Sequence, residues 1–206
     1  MTKPLQKPDG RERRAVSTDL ELRAAAKQGE TRTASGYAAL FGNKTSIGGY
    51  WTEEIRAGAF TQSLRENDVV AIICHDLGRV VGRTGAGTLT LREDAKGLAF
   101  ENPLPDTTDG RDLAVSLDRG DIPGMSFGFV TRKQEWDETV DPPHRTVIEA
   151  DLYEITYTPV PAYPDTEVGL RSLEHARTER RQHNRAGAES RMAARRARQA
   201  QAERGL

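Results

Sequence analysis

Glycine, proline, asparagine and aspartate divide the chain between Leu20 and Leu170 into short runs rich in β-branched and aromatic residues. Runs of this kind, bounded by turn residues, favour β-strands over long helices. We therefore expect a mainly β fold, a barrel or a sandwich, with a few helices. The predicted strands cover residues 19–25, 33–41, 69–75, 79–83, 88–93, 98–104, 124–136 and 145–158.

Two short helices and one hairpin complete the predicted elements. One helix is predicted over residues 59–66, and a second over 109–119, which ends at Gly120. Leu89 and Leu91 alternate with polar residues before the turn-forming segment 94–97, which predicts a hairpin.

The charge distribution separates the C-terminal segment from the rest of the chain. Residues 171–206 hold ten arginines and four glutamates, or +6, which leaves −7 for residues 1–170 of a chain with net charge −1. We expect a mobile N-terminal segment at 1–15, one folded domain at 16–171 and an arginine-rich, flexible or helical tail at 172–206. The tail either is a solvated segment without a specific role or contacts another protein, the acidic body or nucleic acid.

Several classes of protein are excluded by what the sequence lacks. The single cysteine, Cys74, excludes an intrachain disulfide and a four-cysteine zinc site. No apolar run approaches the roughly 20 residues of a membrane span, and the first residues do not form a secretory signal. We expect a soluble, intracellular protein.

Ser126 lies in the segment Gly124-Met125-Ser126-Phe127-Gly128, which matches the pattern G-x-S-x-G. In α/β-hydrolases this pattern marks a nucleophile followed by a helix, but here a β-like run follows. On a strand, Ser126 and Gly128 share one face, so a substrate backbone has room beside the hydroxyl. A structural serine on a strand is the competing interpretation.

His75 is the histidine best placed to act as a base for such a serine. It follows the apolar run 69–74, where an imidazole can be partly buried and still accessible to a substrate. His175 and His183 lie in the arginine-rich tail, and His144 follows two prolines in a predicted exposed turn. We expect Cys74 to be a small core residue, because neighbours on a strand point to opposite faces. A histidine that only caps a strand is the competing interpretation.

An acidic residue in the predicted strand 145–158 could orient the base. Glu154 shares a face with Ile148, Ala150 and Leu152, where an unpaired carboxylate is unfavourable. Glu154 is therefore the candidate, with Asp151, Glu149 and a local structural salt bridge as alternatives.

With these residues in place, the sequence resembles the prohead protease family of tailed bacteriophages, whose fold is similar to herpesvirus assemblin. The resemblance spans residues 10–171, and the order of its motifs is more specific than any one of them. They are RTASGYAALF at 32–41, IRAGAFTQSL at 55–64, CHD at 74–76 with 78–84, and the segments 97–104, 111–113 and 120–122, followed by MSFGF at 125–129 and LYEITYTPVPA at 152–162.

The resemblance implies a closed, mostly antiparallel β-barrel with flanking helices, and a serine endopeptidase with His75 and Ser126 as its catalytic pair. The resemblance supports the acidic residue Glu154 less strongly, because assemblin-like enzymes use a second histidine at the corresponding point. The loop Pro161-Ala162-Tyr163 resembles the segment that stabilises the oxyanion.

The implied substrates are scaffold protein, major capsid protein extensions and the enzyme itself. The resemblance implies that the protein acts in the interior of the prohead, which assembles in the host cytoplasm. It implies no cofactor, metal or membrane, and it is consistent with a homo-oligomer as the active form. Two other functions compete with this one. A catalytically inactive barrel could serve as a structural or scaffold-binding module, and an esterase built on G-x-S-x-G would have a helix directly after Ser126.

Overall fold

The computed structural model describes residues 10–24 and 32–160, and residues 178, 181–182, 185–186, 189 and 191–195. The chain divides into two units, Met1–Thr166 and Glu167–Leu206. The described residues of the second unit are helical and exposed, and Arg185 and Glu189 form an i,i+4 ion pair there. None of the described helices is long and apolar enough to cross a membrane.

The described residues of the first unit form eleven strands and two helices, numbered in chain order. The strands are β1 Arg11–Ser17, β2 Glu21–Arg23, β3 Thr33–Leu40, β4 Thr45–Ile47, β5 Trp51–Ile55, β6 Val70–Ile73, β7 Asp76–Arg83, β8 Thr90–Glu93, β9 Gly97–Pro103, β10 Gly124–Asp137 and β11 His144–Thr158, and the helices are α1 Ser63–Glu66 and α2 Thr108–Arg119. The expectation of a mainly β fold with few helices is confirmed.

Seven strands form the first sheet, in the order β1-β10-β11-β5-β4, and β6 and β7 extend it from the other end of β11. The remaining four form a second sheet in the order β2-β3-β9-β8. β11 runs parallel to both β5 and β6, whereas the other described pairs are antiparallel.

The expected closed barrel is not confirmed, because neither sheet of the described residues closes on itself. No strand of the first sheet pairs with a strand of the second, so the first sheet ends at β1, β4 and β7 and the second at β2 and β8. The sheets instead meet through apolar side chains, for example where Phe100 of β9 packs edge-on against Tyr157 of β11 with ring centroids 5.9 Å apart. Packing of sheet faces buries the core without the hydrogen-bonded closure that a barrel requires.

Local signals determine the elements that we predicted well. Helix α2 begins after Thr107, whose hydroxyl accepts a hydrogen bond from the Gly110 amide at 3.2 Å, and ends at Gly120 with φ of 76°. The hairpin of β8 and β9 turns at Asp94, which accepts hydrogen bonds from the amides of Lys96 and Gly97. Helix α1 is shorter than predicted, since residues 59–62 form turns.

Strand β1 begins inside the 1–15 segment that we expected to lie outside the folded domain. It pairs antiparallel with β10 along its whole length, with Ala15 opposite Ser126 and Arg13 opposite Gly128. Glu12, Arg14 and Ala15 are buried. Order in the chain therefore begins earlier than the composition of its first residues indicated.

Four buried charges, which we call the ion cluster, attach β1 to the sheet. Arg145 donates to Glu12 at 2.6 Å and to Glu53 at 2.8 Å, and Arg14 donates to the same two carboxylates at 2.7 and 2.6 Å. Each side chain is less than a tenth exposed. The two positive and two negative charges balance, so β1, β5 and β11 are joined without a net buried charge.

Replacing Arg145 with methionine should lower the free energy of unfolding by about 3–5 kcal/mol, because Glu12 and Glu53 stay buried with one cation fewer. Urea unfolding at neutral pH measures this. The matched control is Arg56→Met, which breaks an exposed pair with Glu135 and should change stability by less than about 1 kcal/mol. Equal effects of the two substitutions would show that the cluster does not stabilise the fold.

Stability should also fall in acid through Glu12. Burial alone would raise its pKa, but hydrogen bonds and charge from Arg145, followed by the charge of Arg14, lower the pKa from 4.5 to about 2. A folded-state pKa below the unfolded value stabilises the protein above pH 4.5, and this stability is lost as the pH falls towards 2. The shift corresponds to about 3 kcal/mol.

The measurement compares the pH dependence of the unfolding free energy in the wild type and in Glu12→Gln. The wild type should be the more stable at pH 6, and the difference between the two proteins should narrow as the pH approaches 2. A constant difference would exclude Glu12 as a source of the acid sensitivity.

Candidate active site

The paired strands β10 and β11 present two chemically different faces. Met125, Phe127, Ile155 and Tyr157 point into the hydrophobic core. The residues between them lie on the opposite face, where Ser126 is directly across from Thr156 and Gly128 is across from Glu154. This polar strip, Ser126-Gly128-Glu154-Thr156, brings a hydroxyl and a carboxylate to one side of the sheet.

A β-bulge at Tyr153 determines which way Glu154 points. Phe129 pairs with Leu152 and Gly128 pairs with Glu154, so Tyr153 is an extra residue without a partner in the register. We expected Glu154 to share a face with Leu152 by simple alternation. Because of the bulge, Leu152 enters the core whereas Glu154 lies with Thr156 on the other face.

His75 lies in a two-residue turn rather than at the end of a strand, as we had predicted. Strand β6 ends at Ile73 and β7 begins at Asp76, and the turn residues Cys74 and His75 have φ of 50° and 59°. Positive φ at both central positions is typical of type I′ hairpins, which usually contain glycine or asparagine. The Cys74 amide donates to the Tyr157 carbonyl at 3.0 Å, and the His75 amide donates to the Thr156 hydroxyl at 3.2 Å.

This turn brings the His75 ring to the carboxylate of Glu154. Nδ1 of His75 lies 2.7 Å from Oε1 of Glu154, and the two side chains are 20% and 7% exposed. In the neutral ring, the tautomer with its proton on Nδ1 donates to the carboxylate and leaves Nε2 able to accept a proton. Histidine and acid therefore have the geometry of a base and the group that orients it.

The two other acids that we considered contact different residues. Asp151 accepts hydrogen bonds from Asn67 at 2.9 Å and from Arg132 at 2.8 Å. Glu149 lies 3.6 Å from Arg132. Of the three acids weighed from the sequence, the structure brings Glu154 to His75.

Ser126 is buried, with 1% of its surface exposed. Its hydroxyl donates to the backbone carbonyl of Arg14 on β1 at 2.8 Å. No hydrogen bond joins Ser126 to His75 in the part of the chain that the structure describes. Thr156 connects the two residues, since it pairs with Ser126 and also accepts a hydrogen bond from the His75 amide.

Gly128 leaves room for Glu154. A methyl group added at Gly128 would lie 2.8 Å from Cγ of Glu154 and 3.1 Å from its Oε1. We expected the space beside Ser126 to admit a substrate backbone, but the acid's own side chain occupies the part next to Gly128. The absence of a side chain at 128 therefore supports the position of the carboxylate.

Several other sequence-based expectations have different outcomes. Cys74 is exposed rather than a core residue, because it lies in the turn. His144 is only 14% exposed at its side chain and is hydrogen-bonded to Thr52 at 2.8 Å, so the predicted exposed turn is wrong there. The segment 161–163, His175 and His183 lie outside the described residues. Strand β10 continues to Asp137, which contradicts the esterase interpretation, since that required a helix after Ser126.

The comparisons with known proteins give one finding. A family model described as caudovirus prohead serine protease matches residues 18–181, more than half of the chain. No curated protein and no solved structure matches the sequence.

Replacing Glu154 with glutamine should change the ring proton of His75, because the neutral amide is a weaker acceptor for Nδ1–H than a carboxylate. Two-dimensional ¹⁵N–¹H NMR of the histidine ring reports this as an upfield shift of the Nδ1 proton and a more even mixture of tautomers. Asp151→Asn is the matched control and should leave the His75 signals unchanged. Equal shifts in both variants would contradict the pairing of His75 with Glu154.

Proposed function

The chain belongs to the caudovirus prohead serine protease family, and we propose that it cleaves peptide bonds through Ser126, His75 and Glu154. The family is one of serine peptidases that act in phage capsid maturation. The observation that carries the residue assignment is the 2.7 Å contact between His75 and Glu154, on the same sheet face as Ser126.

His75 is the general base in this proposal. Its Nδ1–H bond to Glu154 fixes the ring and stabilises the imidazolium that forms when Nε2 takes a proton. Glu154 is buried and lies on a rigid strand, so the ring is held with little freedom. The left-handed turn at Cys74 and His75 determines the direction from which the ring approaches Glu154, since the amides of both turn residues donate hydrogen bonds to β11.

In this proposal, Ser126 must exchange its hydrogen-bond partner to reach the base. The hydroxyl rotates from the Arg14 carbonyl towards Nε2 of His75, which breaks one neutral hydrogen bond with a net value of about 1 kcal/mol. A loss of this size is small beside the binding energy that a peptide substrate supplies. The buried serine is therefore a resting arrangement in this proposal.

Acyl transfer then follows in two steps. The Ser126 Oγ attacks the peptide carbonyl as its proton passes to His75, and His75 returns that proton to the leaving amine. Water then hydrolyses the acyl-enzyme. In this step His75 again accepts a proton, now from water, and donates it to the leaving Ser126 oxygen. Backbone N–H groups must stabilise the oxyanion, and the family resemblance points to the loop 161–163, in which Ala162 and Tyr163 carry an N–H but Pro161 does not.

Scaffold protein and major capsid protein extensions are the proposed substrates, and the chain itself is a further one. The prohead interior is the proposed place of action. The arginine-rich tail at 172–206 is a proposed self-cleavage segment, and its positive charge suits contact with scaffold or nucleic acid. Dimers or larger homo-oligomers are a proposed active form.

One observation favours a second function, that of an inactive module that binds scaffold. Ser126 is buried and donates to a backbone carbonyl, as a structural serine on a strand would. In that case the contact between His75 and Glu154 is only a structural hydrogen bond. Removing the Ser126 hydroxyl distinguishes the two functions. A structural serine contributes to stability but not to cleavage.

Ser126→Ala and His75→Ala should each abolish cleavage, with losses of about 10⁴-fold or more, as expected when a residue of a catalytic unit is removed. The experiment co-expresses the full chain with the phage's capsid protein and scaffold, and mass spectrometry reads the new termini. Glu154→Gln should lose more activity than Asp151→Asn or Glu149→Gln.

Ser46→Ala, at an exposed serine, and His144→Ala, at a partly buried histidine near Glu54, are the matched controls and should retain cleavage. Unchanged termini with the Ser126→Ala protein would remove Ser126 as nucleophile. The absence of new termini with the wild type would support the inactive module.

A further inference from the structure

A small cavity lies next to Glu154, on the same face of the sheet as Ser126. Its volume is about 190 Å³, and it is bounded by side chains or backbone of Arg11, Glu12, Arg13, Gly128, Tyr153 and Glu154. Strand β1 therefore provides one wall, and β10 and β11 provide the other. Because Tyr153 is the bulged residue of β11, the same irregularity that directs Glu154 also shapes this cavity.

Two arginines give the cavity its chemistry. The Arg11 guanidinium lies 4.9 Å from the centre of the Tyr153 ring and makes no hydrogen bond or ion pair with any described residue. Arg13 has its Nε 3.4 Å from Glu154 Oε1, and 45% of its side chain is exposed. Most N–H donors of both side chains are therefore free to bind a ligand.

The acidic residues at the cavity compensate only part of this charge. The Glu12 carboxylate is occupied on the other face of β1 by Arg145 at 2.6 Å and by Thr131 at 2.8 Å. The Glu154 carboxylate is shared between His75 and Arg13. The groups left unpaired are guanidinium N–H donors, which suit a carboxylate in bidentate geometry.

The cavity is at a fixed distance from the proposed nucleophile. Gly128 is two residues from Ser126 on one strand and shares its face, which corresponds to about 7 Å along the strand. A peptide extended along this face with its scissile carbonyl at Ser126 would place a side chain two or three residues away beside Arg11 and Arg13. A volume of about 190 Å³ accommodates a side chain such as aspartate or glutamate.

We propose that this cavity is a substrate subsite that binds an acidic side chain two or three residues from the scissile bond. Arg11 and Arg13 are the specificity-determining residues, and the stacking of Arg11 on Tyr153 holds its guanidinium in place. The inference rests on the proposed peptidase function, because it takes the position of the cleaved bond from Ser126.

The test profiles cleavage of a peptide mixture prepared from a bacterial proteome by a protease of unrelated specificity. The full chain is incubated with the mixture, and mass spectrometry aligns the sites cut by the wild type but not by Ser126→Ala. Aspartate or glutamate should be enriched at one position within three residues of the cut. The double variant Arg11→Gln, Arg13→Gln should lose at least about tenfold of this preference, and Arg11→Glu, Arg13→Glu should favour lysine or arginine there.

The matched control is Arg23→Gln, at an exposed arginine on β2 that pairs with Glu101, and it should keep the wild-type profile. Cleavage without an acidic preference, or a preference unchanged in the double variants, would overturn the subsite. Cleavage that disappears with Ser126→Ala yet shows no such preference would leave the peptidase function standing while the subsite fails.

A binding measurement decides the case in which no peptide is cut and the peptidase function itself fails. The Ser126→Ala chain is titrated with acetyl-Ala-Ala-Glu-Ala-Ala-amide and with the same peptide carrying glutamine, and NMR follows the arginine Nε–H signals. Tighter binding of the glutamate peptide by about tenfold or more, lost when Arg11 and Arg13 are replaced, would support the cavity as a carboxylate site. Equal binding of the two peptides would overturn it.

Discussion

The ion cluster of Glu12, Arg14, Glu53 and Arg145 holds β1 on the edge of β10, and the site depends on that placement. Alternation along β1 then assigns two tasks to one short strand. Glu12 and Arg14 turn inwards to the cluster, whereas Arg11 and Arg13 turn outwards to the cavity beside Glu154. Arg14 belongs to both sides, because its guanidinium lies in the cluster and its carbonyl holds the Ser126 hydroxyl.

The chemical groups of the site come from strands that are far apart in sequence. Ser126 and Glu154 lie on one sheet face through the antiparallel register of β10 and β11, whereas His75 reaches Glu154 from the turn after β6. Thr156 occupies the centre of this arrangement, since it pairs with Ser126 and bonds the His75 amide. Small shifts in the register of β6, β10 or β11 would therefore separate all three groups of the proposed site, and the extensive core beneath these strands opposes such shifts.

Elements with local signals were predictable from the sequence, and those defined by distant contacts were not. Helix α2 carries its own caps, and the hairpin of β8 and β9 has its turn residues, so both were expected at nearly the correct bounds. Strand β1 was missed because buried, mutually neutralising charges look like a solvated segment in the sequence. The expected contact between His75 and Glu154 is present, but the reasons given for it were different. His75 lies in the turn with Cys74 and not at a strand end, and the bulge at Tyr153 puts Glu154 on the opposite face from the one expected. The closed barrel came from resemblance alone, and sheet closure has no local signal.

In the proposed function, the turn at Cys74 and His75 sets folding stability against catalysis at a single point in the backbone. Two consecutive residues with a Cβ adopt left-handed angles, a conformation that costs roughly 1–3 kcal/mol per residue and that glycine or asparagine would adopt more easily. Glycine or asparagine at these positions would stabilise the fold. At position 75 the substitution would remove the imidazole, and at position 74 it would make the backbone that positions the imidazole more flexible. Selection for thermal robustness and selection for turnover therefore act in opposite directions on this hairpin, which makes it a poor choice for stabilising design.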